Sequence, residues 1–246
     1  MMQIITFISD FGSRDWFVAA VKGEILKITP AAKIMDITHD IVPYDVKGAA
    51  FILSAVYGSF PAGAIHLAVV DPGVGGERRP VIVKSHGHYF VGPDNGIFSY
   101  IYGKDSEVYE IVVDKKPSAT FHARDIFGPA AAWLAGSRPI GELARQTSSI
   151  LCFRRPELKN IRGCMYGEIV YIDHFGNCIT NLPNSVEIGT IHVAGKAVAV
   201  GISYGVAQPG EVVCVKGSIG YYEIACNRGN ASNLLKARIG TGVKAS

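Results

Sequence analysis

The chain has 246 residues, 48% hydrophobic and only 18% charged, which predicts a sizeable core in one large domain or two smaller ones. Its 24 basic and 21 acidic residues give a formal net charge of +3, and the basic pairs Arg78-Arg79, Lys115-Lys116 and Arg154-Arg155 are too sparse for a nucleic-acid-binding face. No apolar run reaches the ~18 residues of a membrane span, and the opening segment meets Asp10 in place of a basic leader, so a cytoplasmic protein without membrane or nucleic-acid partners is expected.

In chain order, Ile4–Ile8 predicts a first strand that ends at Ser9-Asp10-Phe11-Gly12. Phe17, Val21, Ile25 and Ile28 then share one helix face, stopped by Pro30. A second strand over Ala32–Ile37 precedes Asp45, which suits the N-cap of a helix over Val46–Tyr57. Ile65–Val70, apolar apart from His66, predicts a central strand buried on both faces. Val81–Lys84 and His88–Val91 pair as a hairpin around Ser85-His86-Gly87, and a helix runs from Asp125 to Leu134 with Gly136 as its stop. His66, His86, His88 and His192 read as structural or exposed.

The second half changes character. Met165–Asp173, Thr190–Val193, Lys196–Val200, Glu211–Val215 and Tyr221–Cys226 are short strands between Gly, Pro and Asn turns. The expectation is an N-terminal α/β domain with a central, largely parallel sheet over 1–153, and a C-terminal all-β barrel-like domain over 163–246. The polar segment Arg154–Arg162 links them. Five cysteines, Cys152, Cys164, Cys178, Cys214 and Cys226, form no CxxC pair; their odd number predicts reduced thiols, mostly buried, and no zinc site.

In open α/β sheets, ligands bind beyond the carboxyl ends of strands, where Asp10, Asp36 and Asp71 fall. Asp71 opens Asp-Pro-Gly-Val-Gly-Gly-Glu-Arg-Arg-Pro, which serves equally as a tight connection or as a loop whose backbone approaches a ligand; it lacks the Gly-Lys-Ser/Thr ending of a phosphate loop. Gly92-Pro93-Asp94-Asn95-Gly96 holds more turn formers than a plain turn needs. His122, in Phe-His-Ala-Arg-Asp-Ile-Phe, lies just before a helix and can point into a cleft. Asp173-His174-Phe175-Gly176-Asn177 reads as a hairpin connection rich in donors and acceptors, with Gly176 in the turn.

Together, and in this order, these fragments resemble the S-adenosyl-L-methionine hydroxide adenosyltransferase family, relatives of the fluorinating and chlorinating enzymes. The resemblance spans nearly the whole chain, from Ile-Ser-Asp-Phe-Gly to Tyr-Tyr-Glu-Ile-Ala-Cys-Asn-Arg-Gly-Asn-Ala-Ser. It implies hydrolysis of S-adenosyl-L-methionine to adenosine and L-methionine, no metal or cofactor, and a homotrimer holding its small-molecule substrate at subunit interfaces. It places an Asp-Arg-His catalytic group on Asp71, Arg78 and His122, with Arg79 the adjacent rival for the arginine. Asp10 is implied as the acid that grips the ribose hydroxyls. Asp173 and Asn177 are implied as contacts to the methionine end or the nucleoside, and Ser218, Tyr221, Glu223, Asn230 and Ala231 as the segment receiving methionine and adenine.

The chemistry suits these residue types. The sulfonium leaves as a neutral thioether, so the difficulty is the weak nucleophile, water. Arg78 is expected to stabilise developing hydroxide, Asp71 to hold Arg78, and His122 to accept or relay the proton. Phe11, Trp16, Tyr44, Phe175 and Tyr221 are candidate pocket aromatics, with core packing the reading for at least half of them. The competing readings are a halide-using adenosyltransferase, a non-catalytic nucleoside-binding module, and a nucleic-acid-binding barrel. An intact Asp-Arg-His set argues against the first two, and the missing basic stripe against the third.

Overall fold

The computed structural model describes residues 4–113 and 116–246, so Lys115 of the Lys115-Lys116 pair lies outside the described residues. The chain divides into two units, Met1–Phe153 and Arg154–Ser246.

The first unit is built on a seven-stranded sheet: β1 (Ile4–Ser9), β2 (Lys33–Thr38), β3 (Ile65–Val69), β4 (Pro80–Ser85), β5 (His88–Pro93), β6 (Glu107–Ile111) and β7 (Ala144–Thr147), in the order β2-β1-β3-β5-β4-β6-β7. β2, β1, β3 and β5 pair in parallel, β4 runs against β5 and β6, and β7 runs against β6. β1, β2, β3, β5 and β6 thus share one direction, as expected of a largely parallel sheet. β3 is buried along its whole length, as a strand apolar apart from His66 and covered on both faces requires. Helices α1 (Phe17–Ile28) and α3 (Gly128–Ala135) pack with β1 and β3 in one core cluster that includes Phe7, Val21, Ile25, Leu67 and Phe127. α2 (Val46–Val56) contributes Ala49 and Leu53 to a second cluster with Ile8, Val81 and Phe90. Asp45 caps α2 as expected, its carboxylate accepting from Gly48 N at 2.9 Å.

The helix expected from Asp125 begins later. A single π turn over Ala123–Phe127 comes first, and α3 follows with Pro129 in its first turn. Pro129 lacks an N–H and its ring crowds the carbonyl four residues back, so an α-helix cannot run through Asp125 unbroken. The Gly128 N–H instead reaches back to the Ala123 carbonyl.

His66 is the second residue of β3, fully buried, with Nδ1 2.8 Å from Thr6 Oγ1 and Nε2 3.3 Å from His88 Nδ1. Burial, reinforced by His88, pulls its pKa down to about 3 from the ordinary 6.5. Between those values only the unfolded chain binds the proton, so stability declines as pH falls through that window. From pH 7 to pH 5 the unfolding free energy should drop by about 2 kcal/mol through this residue. Urea unfolding of wild type and His66→Gln at both pH values checks this; equal pH dependence in the two proteins would rule it out.

The second unit is an antiparallel barrel-like sheet of β8 (Lys159–Ile161), β9 (Cys164–Ile172), β10 (Cys178–Pro183), β11 (Thr190–Val193), β12 (Lys196–Ala199), β13 (Val212–Lys216), β14 (Tyr221–Cys226) and β15 (Gly242–Ala245). The path runs β12-β11-β15-β9-β10-β14-β13, with β8 paired to β9, and a bridge from Val200 to Cys214 brings its two ends together. β8 falls within the segment expected to be a linker; Arg162 and Gly163, both at positive φ, turn it back onto β9. A short helix, α4 (Ala231–Leu235), packs its Ala231 and Leu235 into the barrel core with Ile169, Tyr222 and Ile224. All five cysteines are free; Cys178, Cys214 and Cys226 are buried, whereas Cys152 is exposed. Among the described residues no helix is long and apolar enough to cross a membrane.

Candidate active site

The loop from Asp71 to Arg79 connects β3 to β4 and keeps its tight path through glycine. Gly75 has φ +78°, and a Cβ there would overlap the Ala119 carbonyl oxygen. Arg78 and Arg79 are adjacent residues just before β4, yet each takes its own set of partners. Arg78 Nε lies 3.0 and 3.1 Å from the two Asp71 oxygens, and Nη2 lies 2.5 Å from Oδ2. The same Nη2 is 2.7 Å from His122 Nδ1, and the guanidinium stands over the Phe127 ring at 5.1 Å. Arg79 instead grips Asp94 through Nε at 3.0 Å and Nη2 at 2.5 Å, and donates to Thr147 Oγ1 and the Ser149 carbonyl.

Arg78 and Asp71 are nearly buried, with side chains 10% and 6% exposed, a depth at which an unpaired charge is costly. Guanidinium offers only donors, so His122 Nδ1 must present its lone pair to Arg78, and the neutral ring carries its proton on Nε2. Burial first, then the Arg78 charge, pulls the His122 pKa below the ordinary imidazole range against the opposing pull of Asp71 and Asp125. The ring is therefore neutral at pH 7. Among the described residues Arg78 Nη1 makes no hydrogen bond, in contrast to Nε and Nη2.

Asp71 and His122 line a cleft of about 370 Å³ together with Asp10, Phe11, Tyr44 and Phe121. Asp10 follows β1 and Asp71 lies just beyond β3, so both stand at carboxyl ends of adjacent parallel strands. Asp36, grouped with them from the sequence, does not line this cleft: its carboxylate is tied to Lys22 Nζ at 2.6 Å. The aromatic expectations divide. Phe11 packs against Phe7, Phe17 and Phe121, and Tyr221 is partly buried. Trp16, Tyr44 and Phe175 are 67%, 73% and 71% exposed, so core packing fails for three of the five. They occupy the residue before α1, a positive-φ position and a hairpin turn, where no core lies beneath them.

In the barrel unit, Asp173–Asn177 joins β9 to β10. Asp173 Oδ1 accepts from Phe175 N and Asn177 N, and its Oδ2 from Asn177 Nδ2, all at 2.9 Å. Gly176 has φ +84°, and a Cβ there would overlap the Asn230 amide, which itself caps α4 by accepting from Asn233 N. Ser232 N donates to the Gly176 carbonyl at 2.9 Å, so the turn and the Asn230-Ala231 segment form one group. Glu223 on β14 receives the Tyr204 hydroxyl at 2.7 Å; burial raises its pKa, with Asp173 adding to the effect and Tyr204 opposing it. Tyr204 was missed from the sequence because a lone Tyr in a Gly-rich turn carries no motif. Ser218 is exposed in the β13–β14 turn, and among the described residues no side-chain hydrogen bond joins Ser218 or Tyr221 to this group.

A largely parallel α/β unit with a strand-end cleft whose Asp71 and His122 both hold Arg78, followed in one chain by an antiparallel barrel-like unit, defines a two-domain protein with a cleft in its first unit sized for a small ligand. Family models narrow the class. The SAM hydroxide adenosyltransferase N-terminal domain matches residues 5–144 and the C-terminal domain residues 167–244. The chain belongs to the SAM hydroxide adenosyltransferase family. A Thermus thermophilus protein named (R)-S-adenosyl-L-methionine hydrolase is 36% identical over 256 residues, 99% of each chain. A solved structure titled an uncharacterized conserved protein from Thermotoga maritima superposes with a TM-score of 0.90 at 32% identity, over 98% of this chain and 99% of that one. A fluorinase of an Actinoplanes species is more distant, 29% identical over 212 residues that cover 73% of this chain and 71% of that one.

Proposed function

We propose that this chain hydrolyses S-adenosyl-L-methionine to adenosine and L-methionine by in-line attack of water on ribose C5′. The observation that carries the reading is Arg78, fixed between Asp71 and His122, two residues of the cleft that Asp10 also lines. Relatives matched along nearly their full length bear the hydrolase name, which supports it. A bond forms from the water oxygen to C5′, the C5′–S bond breaks with its electron pair going to sulfur, and the water's proton is released. Sulfur departs neutral, so the leaving group requires no acid.

Arg78 stabilises the hydroxide as its charge develops, through the Nη1 that neither Asp71 nor His122 engages. Asp71 holds the fork in place. His122, with its proton on Nε2, donates to the water and sets its line of attack. For this ring to take the water's proton at Nδ1 it must first leave Arg78. Hydroxide meeting sulfonium cancels two charges, so the apolar walls of Phe11, Val69 and Phe121 favour the transition state over the separated ions. Asp10 accepts both ribose hydroxyls. Asp173, Asn177, Ser218, Tyr221, Glu223, Asn230 and Ala231 form the barrel-side contacts to adenine and methionine. None of these steps calls for a metal or cofactor.

The assembly in this reading is a homotrimer with sites at subunit interfaces. Trp16, Val42 and Tyr44 in the first unit and Phe175 and Ile202 in the second are exposed apolar side chains of the kind that association covers. Light scattering that finds single chains at assay concentration would exclude that assembly.

Turnover in oxygen-18 water tests the reaction. Label is expected in the 5′-hydroxyl of adenosine, equally in chloride-free and chloride-rich buffer. Unlabelled adenosine would overturn hydrolysis at C5′, and a chloride-dependent 5′-chloro-nucleoside would favour the halide reading.

A further inference from the structure

The corner that carries Asp10 is gripped from behind by a residue with no role so far. His39 follows β2 and is 9% exposed. Its Nδ1 lies 2.8 Å from Ser9 Oγ, its backbone carbonyl accepts from Gly12 N at 2.8 Å, and its ring stands edge-on to Phe7 at 4.7 Å. One residue therefore holds both ends of the Ser9–Gly12 corner. On its far side, Nε2 lies 3.1 Å from Asp36 Oδ1 without the alignment of a hydrogen bond, and Asp36 also pairs with Lys22.

The carboxylate determines the tautomer. A lone pair on Nε2 would face the Asp36 charge, so the neutral ring carries its proton there and Nδ1 accepts from the Ser9 hydroxyl. Ser9 Oγ, its proton committed to His39, turns a lone pair to Phe11 N at 3.4 Å. His39 and Ser9 thus form a directed hydrogen-bonded pair that ends at Phe11 N, just after Asp10, with the Asp36 charge beside Nε2. Asp10 is held from the front by Tyr44 N at 2.9 Å. Ser9 is fully buried, which excludes it as a nucleophile despite the Ser-His-Asp composition.

We propose that His39, oriented by Asp36, is a positioning residue that fixes the Asp10–Phe11 corner for binding the ribose of the substrate. The inference rests on the reading of Asp10 as the ribose acid. Without the His39 side chain, the Ser9 hydroxyl loses its acceptor and Phe7 its edge-on ring, while the backbone carbonyl that holds Gly12 N remains, so Asp10 samples orientations that meet one ribose hydroxyl or neither.

The test is adenosine binding by calorimetry to the wild-type protein, Asp10→Ala, His39→Ala, His39→Asn, Asp36→Ala and the double variants Asp10→Ala/His39→Ala and Asp10→Ala/Asp36→Ala. His39→Ala is expected to weaken adenosine about tenfold, the worth of roughly one good hydrogen bond, and to raise KM more than it lowers kcat. In the Asp10→Ala background the same change should add less than twofold, because its effect passes through Asp10. His39→Asn, whose amide can still reach Ser9, should recover most of the affinity. A tenfold loss that persists in the Asp10→Ala background, or none in wild type, would overturn the proposal. If Asp10→Ala binds adenosine as wild type does, the ribose reading itself falls, whatever His39 does. Asp36→Ala, altering a side chain 41% exposed, reads the same coupling should His39→Ala not fold: a several-fold loss confined to proteins that retain Asp10 supports it, and no loss counts against it.

Discussion

Arg78→Ala is expected to lower kcat for S-adenosyl-L-methionine hydrolysis by about 10²–10³-fold, the range seen when one preorganised donor to a developing oxyanion is removed. Arg78 faces a charge that exists only as the water oxygen attacks, so KM should change little. Arg78→Lys keeps the charge but not the planar fork that spans Asp71 and His122, and it should recover only part of the rate. Removing the guanidinium also strands the Asp71 carboxylate at a depth where its side chain is 6% exposed. Arg78→Ala should therefore be less stable as well, and kcat must be measured on protein shown to be folded. A variant with unchanged kcat and raised KM would assign Arg78 to substrate binding in place of water activation.

Asp94→Ala should produce the opposite profile: a stability loss of about 3 kcal/mol with kcat held within about twofold. Asp94 is the mirror of Asp71 in partner but not in place. Its carboxylate takes two bonds from Arg79 and one from Leu151 N at 2.7 Å, tying the start of β4 to the chain after β7. Asn95 beside it donates to the Val70 carbonyl, one residue before Asp71, so the turn also braces the loop that carries the cluster. Deleting the acid leaves Arg79 without its counter-ion, although Arg79 is a third exposed and recovers some solvation. Urea unfolding measures the loss. A fall in kcat as large as that of Arg78→Ala would mean that the brace sets the Asp71 geometry directly.

These two variants address what the sequence left ambiguous. Adjacent arginines in one motif carry the same local signal, and only the fold tells them apart, by giving Asp71 and His122 to Arg78 and Asp94 to Arg79. The main strands and helices of the first unit were legible because Ile65–Val70 and the Phe17–Ile28 face carry strong periodic patterns. β7, spelled Ala-Arg-Gln-Thr, was not, since its only support is its pairing with β6. The barrel was legible as a class from its short strands and turns. β10 and β15 escaped because each is flanked by residues that suit loops equally well. In the cleft, Asp10, Asp71 and His122 were legible as motif residues. Asp36 was misgrouped because strand position alone does not reveal that Lys22 on α1 claims it, and the Ser9–His39 contact across 30 residues leaves no trace in local pattern.

The π turn before α3 can be restated as a matter of phase. Such a turn is an α-helical turn with one residue too many, and each residue of an α-helix advances the chain by about 100°. Deleting one residue between Ala123 and Phe127 would leave α3 in place against α1, and Pro129 would still bar a regular α-helix through the segment. It would rotate His122 by roughly that angle relative to α3, away from Arg78 and out of the cleft. The extra residue therefore sets the direction of one imidazole, and a segment one residue shorter would fold around a cleft that lacks its histidine.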